Sequence, residues 1–417
     1  MSTPEQRLDE TIRTEGARIL ATLVRVVGDL RVAEDAVQEA TVRALVQWPA
    51  TGVPSDPRAW LTTTARRAAV DVLRRENARP GKERASLDLD RGAADDVEAR
   101  LDGDLEEADD MLRLLFTCAH PALSLEAQVT LALRVLCGLS TERIAAVLLS
   151  TEPAVAKRLT RTRSKIARAG IPYQVPPAEE LPQRLVAVCA VVHALYTTSH
   201  TLTEGAAVSD VDGCREAVRL ARLVTDLMPD EAMPMAVLAL LLLTESRRAA
   251  RTDADGRPVV LADQDRSLWD RAAIEEGCRL LDVSLRRTAG VADPYQLQAA
   301  VAAEHARAAS YAETDWPEVV RLYTLLEQVR PSGPGRLALA VAVAEADGAA
   351  AALAALDALP EQERDHRWHA VRGELLAREG RHRDAIGAMT ASLAGPVSDA
   401  EADHRRRLVA RWSALLA

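Results

Sequence analysis

Aromatic side chains are scarce, at 3% of the 417 residues, with a single Phe, Phe116. Strands draw on aromatic and β-branched residues, so this scarcity, beside an apolar set dominated by Ala and Leu, argues against sheets and predicts an all-α fold. Lys is nearly missing, occurring only at 82, 157 and 165, so Arg carries the positive charge. The five cysteines, Cys118, Cys137, Cys189, Cys214 and Cys278, are scattered, odd in number and without a CxxC pair. That excludes a disulfide framework and a zinc ribbon, and points to buried, reduced thiols. The longest apolar run, Ala236 to Leu243 (AVLALLLL), is too short to span a bilayer. No charged-then-apolar leader opens the chain, so a soluble cytoplasmic protein with no membrane association is expected. HExxH, a P-loop, GxGxxG and a nucleophile elbow are all missing, and the eight histidines show no ligand spacing. The expectation is therefore no enzyme, no cofactor and no metal site.

What is present is length, helix-forming sequence and segregated charge. A chain of this size with 48% hydrophobic residues predicts two to four domains. Lys plus Arg number 52 against 62 Asp plus Glu, a formal charge of -10. The sum hides a pattern. Residues 83–110 hold twelve acids against Arg84, Arg91 and Arg100, and follow the helix stop Arg79-Pro80-Gly81. They read as an exposed acidic spacer. Lys157 to Arg168 (KRLTRTRSKIAR), by contrast, has six basic residues and no acid.

Leu123 to Gly170 reads as helix, turn, helix, turn, helix. Leu125 to Leu136 has helical apolar spacing, Gly138 breaks it, and Ser140 and Thr141 can cap a short helix through Leu148. Thr151 can cap a third helix, with Pro153 tolerated in its first turn. There Val155, Leu159, Thr162 and Ile166 form the inward face, and Lys157, Arg158, Arg161 and Lys165 much of the opposite one. A short helix, a tight turn and a helix with a basic outer face match the helix-turn-helix geometry that enters a major groove. Phosphate contacts would give affinity, and a forked Arg can read guanine. A solvated basic face on an ordinary bundle is the bland alternative.

Pro57 to Asn77 (PRAWLTTTARRAAVDVLRREN) is a second basic helix on an acidic protein. Leu61, Ala65, Ala68 and Val72 share one face, while Thr63, Arg67, Val70 and Arg74 lie opposite, with Arg66 beside them. Upstream, Gly28 to Leu45 (GDLRVAEDAVQEATVRAL) is amphipathic. Ala33, Ala36, Val37, Ala40, Ala44 and Leu45 are expected inside, and Asp35, Gln38 and Glu39 form an exposed polar patch.

These segments in this order, "GDLRVAEDAVQEATVRALVQWP", "VPSDPRAWLTTTARRAAVDVLRREN" and a helix-turn-helix near residue 150, resemble a bacterial sigma factor of the extracytoplasmic-function (ECF) group. The resemblance implies region 2 over 1–80, an acidic linker over 81–107 and region 4 over 108–171. It implies that Asp35, Gln38 and Glu39 bind core RNA polymerase. Thr63, Arg66, Arg67 and Arg74 would then recognise the −10 element, and the loop Pro49 to Pro57 would capture a base from the melted −10 strand. Lys157, Arg158, Arg161 and Lys165 would read −35 double-stranded promoter DNA. The acidic linker would take a nucleic-acid-like path through basic channels of the polymerase. Trp60 could stack on an unpaired base, but it begins the inward face of its helix and a core role is the better reading; Trp48 is equally ambiguous.

Residues 172–417 predict paired helices at 183–197, 213–228, 231–249, 267–287, 293–312, 316–329, 335–358, 362–379, 382–394 and 399–416. Gly373, Leu376, Gly380, Ala385 and Met389 have tetratricopeptide-like spacing, small residues allowing close helix crossing. "DDMLRLLFTCAHPALS", "LADQDRSLWDRA" and "PYQLQAA" extend the resemblance to an ECF subfamily with a tetratricopeptide-like C-terminal extension, implying regulation by a protein or ligand at that domain. Thr197 to Gly205 (TTSHTLTEG) departs from the Asn-Glu-Gly-Tyr run of many relatives. Asp253-Ala254-Asp255-Gly256 lacks the remaining ligands of a calcium loop and reads as a turn. The competing function is a one-component helix-turn-helix regulator with a helical sensing domain, which does not need the paired two-region arrangement.

Overall fold

A computed structural model describes residues 3–77, 107–148, 150–177, 179–200, 211–395 and 397–416. The acidic linker and most of the TTSHTLTEG run lie outside the described residues. Among those described the chain is all-α, with no strand beyond an isolated bridge between Thr252 and Pro258. It forms two compact units, residues 1–194 and 195–417.

The first unit opens with α1 (Pro4–Val27), α2 (Leu30–Thr51) and α3 (Pro57–Asn77), which pack on one another. Thr3 and Gln6 close a reciprocal capping box at the start of α1. Gly28, at φ 72°, turns the chain out of α1 in the left-handed conformation that glycine adopts without strain. Asp29 then accepts from the amides of Arg31 and Val32 and starts α2. Leu23, Ala33, Ala36, Ala40, Ala44, Trp48, Leu61, Ala65 and Ala68 fill the core. Each fully buried leucine there contributes about 2 kcal/mol.

Two expectations for α2 need correction. Leu45 points outward, 47% exposed, and the inward line runs through Val32, Ala33, Ala36, Ala40, Ala44 and Trp48. The loop predicted from Pro49 is shorter, because α2 carries Pro49 inside it and continues to Thr51 before Gly52 at φ 86° ends it. A proline so close to a helix end removes only one terminal hydrogen bond, which the packed Trp48 turn tolerates.

α4 (Glu107–Cys118), α5 (Leu125–Val135), α6 (Thr141–Val147) and α7 (Glu152–Ala169) follow. Ser140 caps α6, accepting from the Arg143 amide at 3.1 Å, and Thr151 caps α7 through the Ala154 amide at 3.4 Å. Val155, Leu159 and Thr162 are buried as their spacing requires, while Ile166 is half-buried. α8 (Leu181–His200) carries the boundary between the units. Within the first unit its Arg184 donates to the Phe116 carbonyl at 2.5 Å.

The second unit is built from α9 (Val211–Leu227), α10 (Ala232–Glu245), α11 (Arg271–Arg287), α12 (Pro294–Arg307), α13 (Trp316–Val329), α14 (Gly333–Ala346), α15 (Ala349–Asp357), α16 (His366–Arg378), α17 (His382–Ala391) and α18 (Asp399–Ala414). The AVLALLLL run is the buried centre of α10, with α9, α11 and α12 around it. A Cβ on Gly277 would sit 2.8 Å from Leu243 Cγ and 3.3 Å from the Ala239 carbonyl, so glycine permits the α10–α11 approach. Gly373 does the same for α16 and α17, where a Cβ would lie 3.2 Å from the Ala385 carbonyl. The single helix expected over 335–358 is two, split at Asp347-Gly348 with Gly348 at φ 93°. Arg251 to Asp270 is a turn followed by short 3-10 segments. Asp253 uses one carboxylate oxygen to accept from the Asp255 and Arg257 amides, at 3.0 and 2.8 Å.

Candidate functional site

The outer face of α2 combines charge with exposed apolar surface. Asp35 and Gln38 are exposed and Glu39 is half-buried. Asp35 pairs with Arg31 at 3.6 Å and Glu39 with Arg43 at 2.5 Å, each one turn away. Continuing along that face are Val42, Leu45 and Val46, 59%, 47% and 72% exposed. Three large aliphatic side chains clustered on a helix face bordered by carboxylates are more than the scattered single exposures of an ordinary surface. The polar half of this face was legible in the sequence; the apolar half was hidden by placing Leu45 inside.

On α3, Thr63 and Arg67 are exposed and Arg66 is half-buried. Arg74 belongs to the helix, but its side chain lies outside the described residues. Trp60 is half-buried and packs edge-on against Trp48, ring centroids 5.6 Å apart, while Trp48 is 1% exposed.

The basic residues of α7 divide into two sets. Lys157 and Arg161 are exposed. Arg158 is drawn back onto α5, where it pairs with Glu126 and donates to Thr130 Oγ1 at 3.3 Å. Lys165 donates to the Ala122 carbonyl.

A group that sequence reasoning missed joins α7 to the first three helices. Glu34 is 6% exposed on the inward side of α2 and accepts from Arg163 Nε at 2.7 Å and Nη2 at 2.6 Å. Arg134 of α5 lies 3.8 Å from the same carboxylate. Burial pushes the Arg134 guanidinium down, Glu34 pulls it up, and Arg163 adds repulsion. A second junction lies nearby: Arg25 of α1 donates to buried Asp110 of α4 at 2.8 Å. The Tyr173 hydroxyl sits 2.9 Å from both the Ala21 and Asp110 carbonyls. Burial raises the Tyr173 phenol well above its ordinary range, so it stays a neutral donor. Between these junctions is a cleft of about 900 Å³ bordered by Arg25, Arg31, Arg163 and Tyr173. The available signal was Glu34 itself, an acid at an otherwise apolar inward position, which demands a cationic partner.

With this geometry in place, comparison with known families defines first the class. Sigma-70 region 2 matches residues 11–79, the α1–α3 assembly. A family of unknown function (DUF6596) matches residues 184–285. An uncharacterized protein of Rhizobium meliloti (strain 1021) is 41% identical over 404 residues, 96% of this chain and 94% of its own. No solved structure matches. The chain carries a sigma-70 region 2 domain, and it belongs to one family with the Rhizobium protein, which it resembles over nearly its whole length. A region 2 domain implies docking on core RNA polymerase, and no described helix is long and apolar enough to cross a membrane.

Proposed function

We propose that this protein is an ECF sigma factor that binds core RNA polymerase and directs promoter-specific initiation, with its C-terminal tetratricopeptide-like domain modulating that activity. The observation that carries the reading is the α2 face within the matched region 2: Asp35, Gln38 and Glu39 beside exposed Val42, Leu45 and Val46. A protein partner covers such a face; DNA would be repelled by its carboxylates. In this reading Thr63, Arg66, Arg67 and Arg74 serve the −10 element and Lys157, Arg158, Arg161 and Lys165 the −35 element. Region 2 would span 1–80, the linker 81–107, region 4 108–171 and the modulating domain 172–417. The protein would act in the cytoplasm as a non-enzymatic factor.

The Glu34–Arg163 pair has a place in this scheme. Two elements about 25 base pairs apart lie roughly 80 Å apart on straight duplex at 3.4 Å per base pair. A region 2 and an α7 held together by a side-chain fork cannot reach both, so productive binding requires that fork to open. The deciding experiment is run-off transcription from genomic fragments with purified core polymerase, with and without the protein. Defined new start sites appearing only with the protein are expected. Failure of both the full chain and residues 1–171 to bind core would overturn the reading. Tight, specific DNA binding without polymerase would instead favour the one-component regulator.

A further inference from the structure

The cleft of about 900 Å³ in the first unit is walled by α1, α2, α4, α7 and the segment Gly170 to Tyr173. Small-molecule sites run from about 300 to 1,000 Å³, and they combine apolar walls with a few convergent polar groups. Both kinds of side chain are here. Val24, Leu30, Ile166, Ile171 and Pro172 give the lining its apolar surface. Arg25, Arg31, Arg113 and Arg163 give it four guanidiniums, and Asp29 is the one acid among its described residues. Asp29 Oδ1 already accepts from the Arg31 and Val32 amides, at 2.7 and 3.2 Å.

The carboxylates that hold these arginines stand outside the lining. Asp110, 1% exposed, accepts from Arg25 Nε at 2.8 Å and from Arg113 Nη1 at 3.2 Å. Glu34 takes Nε and Nη2 of Arg163, with Arg134 Nε also 3.8 Å away. At each junction one buried acid orients two guanidiniums, so it fixes their direction without matching their charge. Among the described residues Arg163 Nη1 makes no hydrogen bond, nor does the Ser164 hydroxyl of the same wall.

We propose that this cleft binds a small amphiphilic organic anion, its acidic head on the guanidiniums and its apolar body along Leu30, Ile166 and Ile171. A bare inorganic ion would leave the apolar wall wet, and a neutral apolar molecule would strip water from arginines without replacing it. A carboxylate, sulfonate or phosphate on a hydrocarbon or ring answers both, and forked guanidiniums suit such heads. Because α2 and α7 both supply walls, the ligand is held only while Glu34 and Arg163 are closed, and it opposes engagement of the polymerase. This last consequence rests on the sigma-factor reading; binding to the free chain does not.

Titration of the full chain with anilinonaphthalene sulfonate, followed by its fluorescence, tests the site, with phenylnaphthylamine as the related ring system lacking the sulfonate. Saturable sulfonate binding is expected with Kd of about 100 µM or tighter, the neutral analogue being weaker by roughly tenfold or more. Ser164 and Ala167 line the cleft and are exposed, so S164E and A167E leave the core in place. Each should weaken binding roughly tenfold by setting a carboxylate against the ligand's head. No saturation by about 1 mM, equal affinity for the neutral analogue, or unchanged affinity in both variants overturns the proposal. So does loss of binding in L45E, which would put the dye on the exposed face of α2. Saturation that appears only after Asp102→Asn, Asp104→Asn and Glu106→Gln overturns it too, by assigning the cleft to the acidic linker. Core polymerase is then added to the dye-loaded chain. Release is expected, and dye retained by a polymerase that initiates at defined starts overturns the inhibitory role. Absence of new starts with dye binding intact would count against the sigma-factor reading and leave the cleft as assigned.

Discussion

Glu34 and Arg163 face each other as a two-bond fork, Nε to Oε2 at 2.7 Å and Nη2 to Oε1 at 2.6 Å, although 129 positions separate them in the chain. The carboxylate side chain is 7% exposed and the guanidinium 25%. Removing one partner of such a pair strands the other. Glu34→Gln should lower the stability of the first unit by about 3 kcal/mol and speed hydrogen exchange in α7. A double-mutant cycle with Arg163→Gln measures the coupling; additive effects of the two changes would show that the fork holds nothing.

The exposed aliphatic residues of α2 permit a cleaner test of polymerase docking. Leu45→Glu with Val46→Glu alters side chains outside the core, so stability should stay within about 0.5 kcal/mol. Affinity for core RNA polymerase, followed by fluorescence anisotropy, should fall by roughly tenfold to a hundredfold. Unchanged affinity would move the docking face elsewhere.

Arg161 and Arg158 should behave differently although both lie on α7. Arg161→Ala removes an exposed cation and should cost about 1–3 kcal/mol in promoter-specific initiation, with little change in Tm. Arg158→Ala also breaks the tie to Glu126 and Thr130, so it should lower Tm as well as run-off activity. Thermal melts alongside transcription assays separate the two.

Acid should weaken the second unit. Burial and nearby arginines hold His305 down to about 4 and His200 to about 3, against an ordinary 6.5. Below pH 6.5 the unfolded chain takes up protons that the folded chain refuses. The stability these neutral imidazoles allow is therefore complete above that pH and is lost as pH falls toward 4. For His305 alone the loss amounts to roughly 3 kcal/mol. Urea titrations at pH 7 and pH 4.5 measure it, and His305→Phe should flatten the dependence.

Gly277 gives a packing prediction. Gly277→Val would drive its side chain into Leu243 and the Ala239 carbonyl, costing about 2–3 kcal/mol despite valine's better helix propensity. A fall in denaturation midpoint with unchanged slope is the expected result.

Local signals in the sequence located most helices, because caps and breakers act over a few residues. Ser140, Thr151 and Gly170 end or begin elements where their chemistry says they should. The errors came where a global arrangement chose between locally equal options. Leu45 has the spacing of an inward residue, but Ala44 and Trp48 take the core and rotate it to the outside. The Ala-rich 335–358 stretch has helix propensity throughout, yet Gly348 turns left-handed and divides it so that α15 can pack back on α14. Site residues were legible as types rather than partners. Lys157, Arg158, Arg161 and Lys165 share one composition signal, and only tertiary neighbours separate the exposed from the tethered. Glu34 found its arginines across the whole first unit, beyond the reach of any periodicity.

Because Glu34 and Arg163 ride on one chain, their closure is a unimolecular event. Dilution leaves it untouched, and burial of the carboxylate shields it from added salt. For any partner that needs α2 and α7 apart, closure makes opening a clock. As that partner becomes abundant, the association rate stops rising and settles at the rate at which the fork lets go.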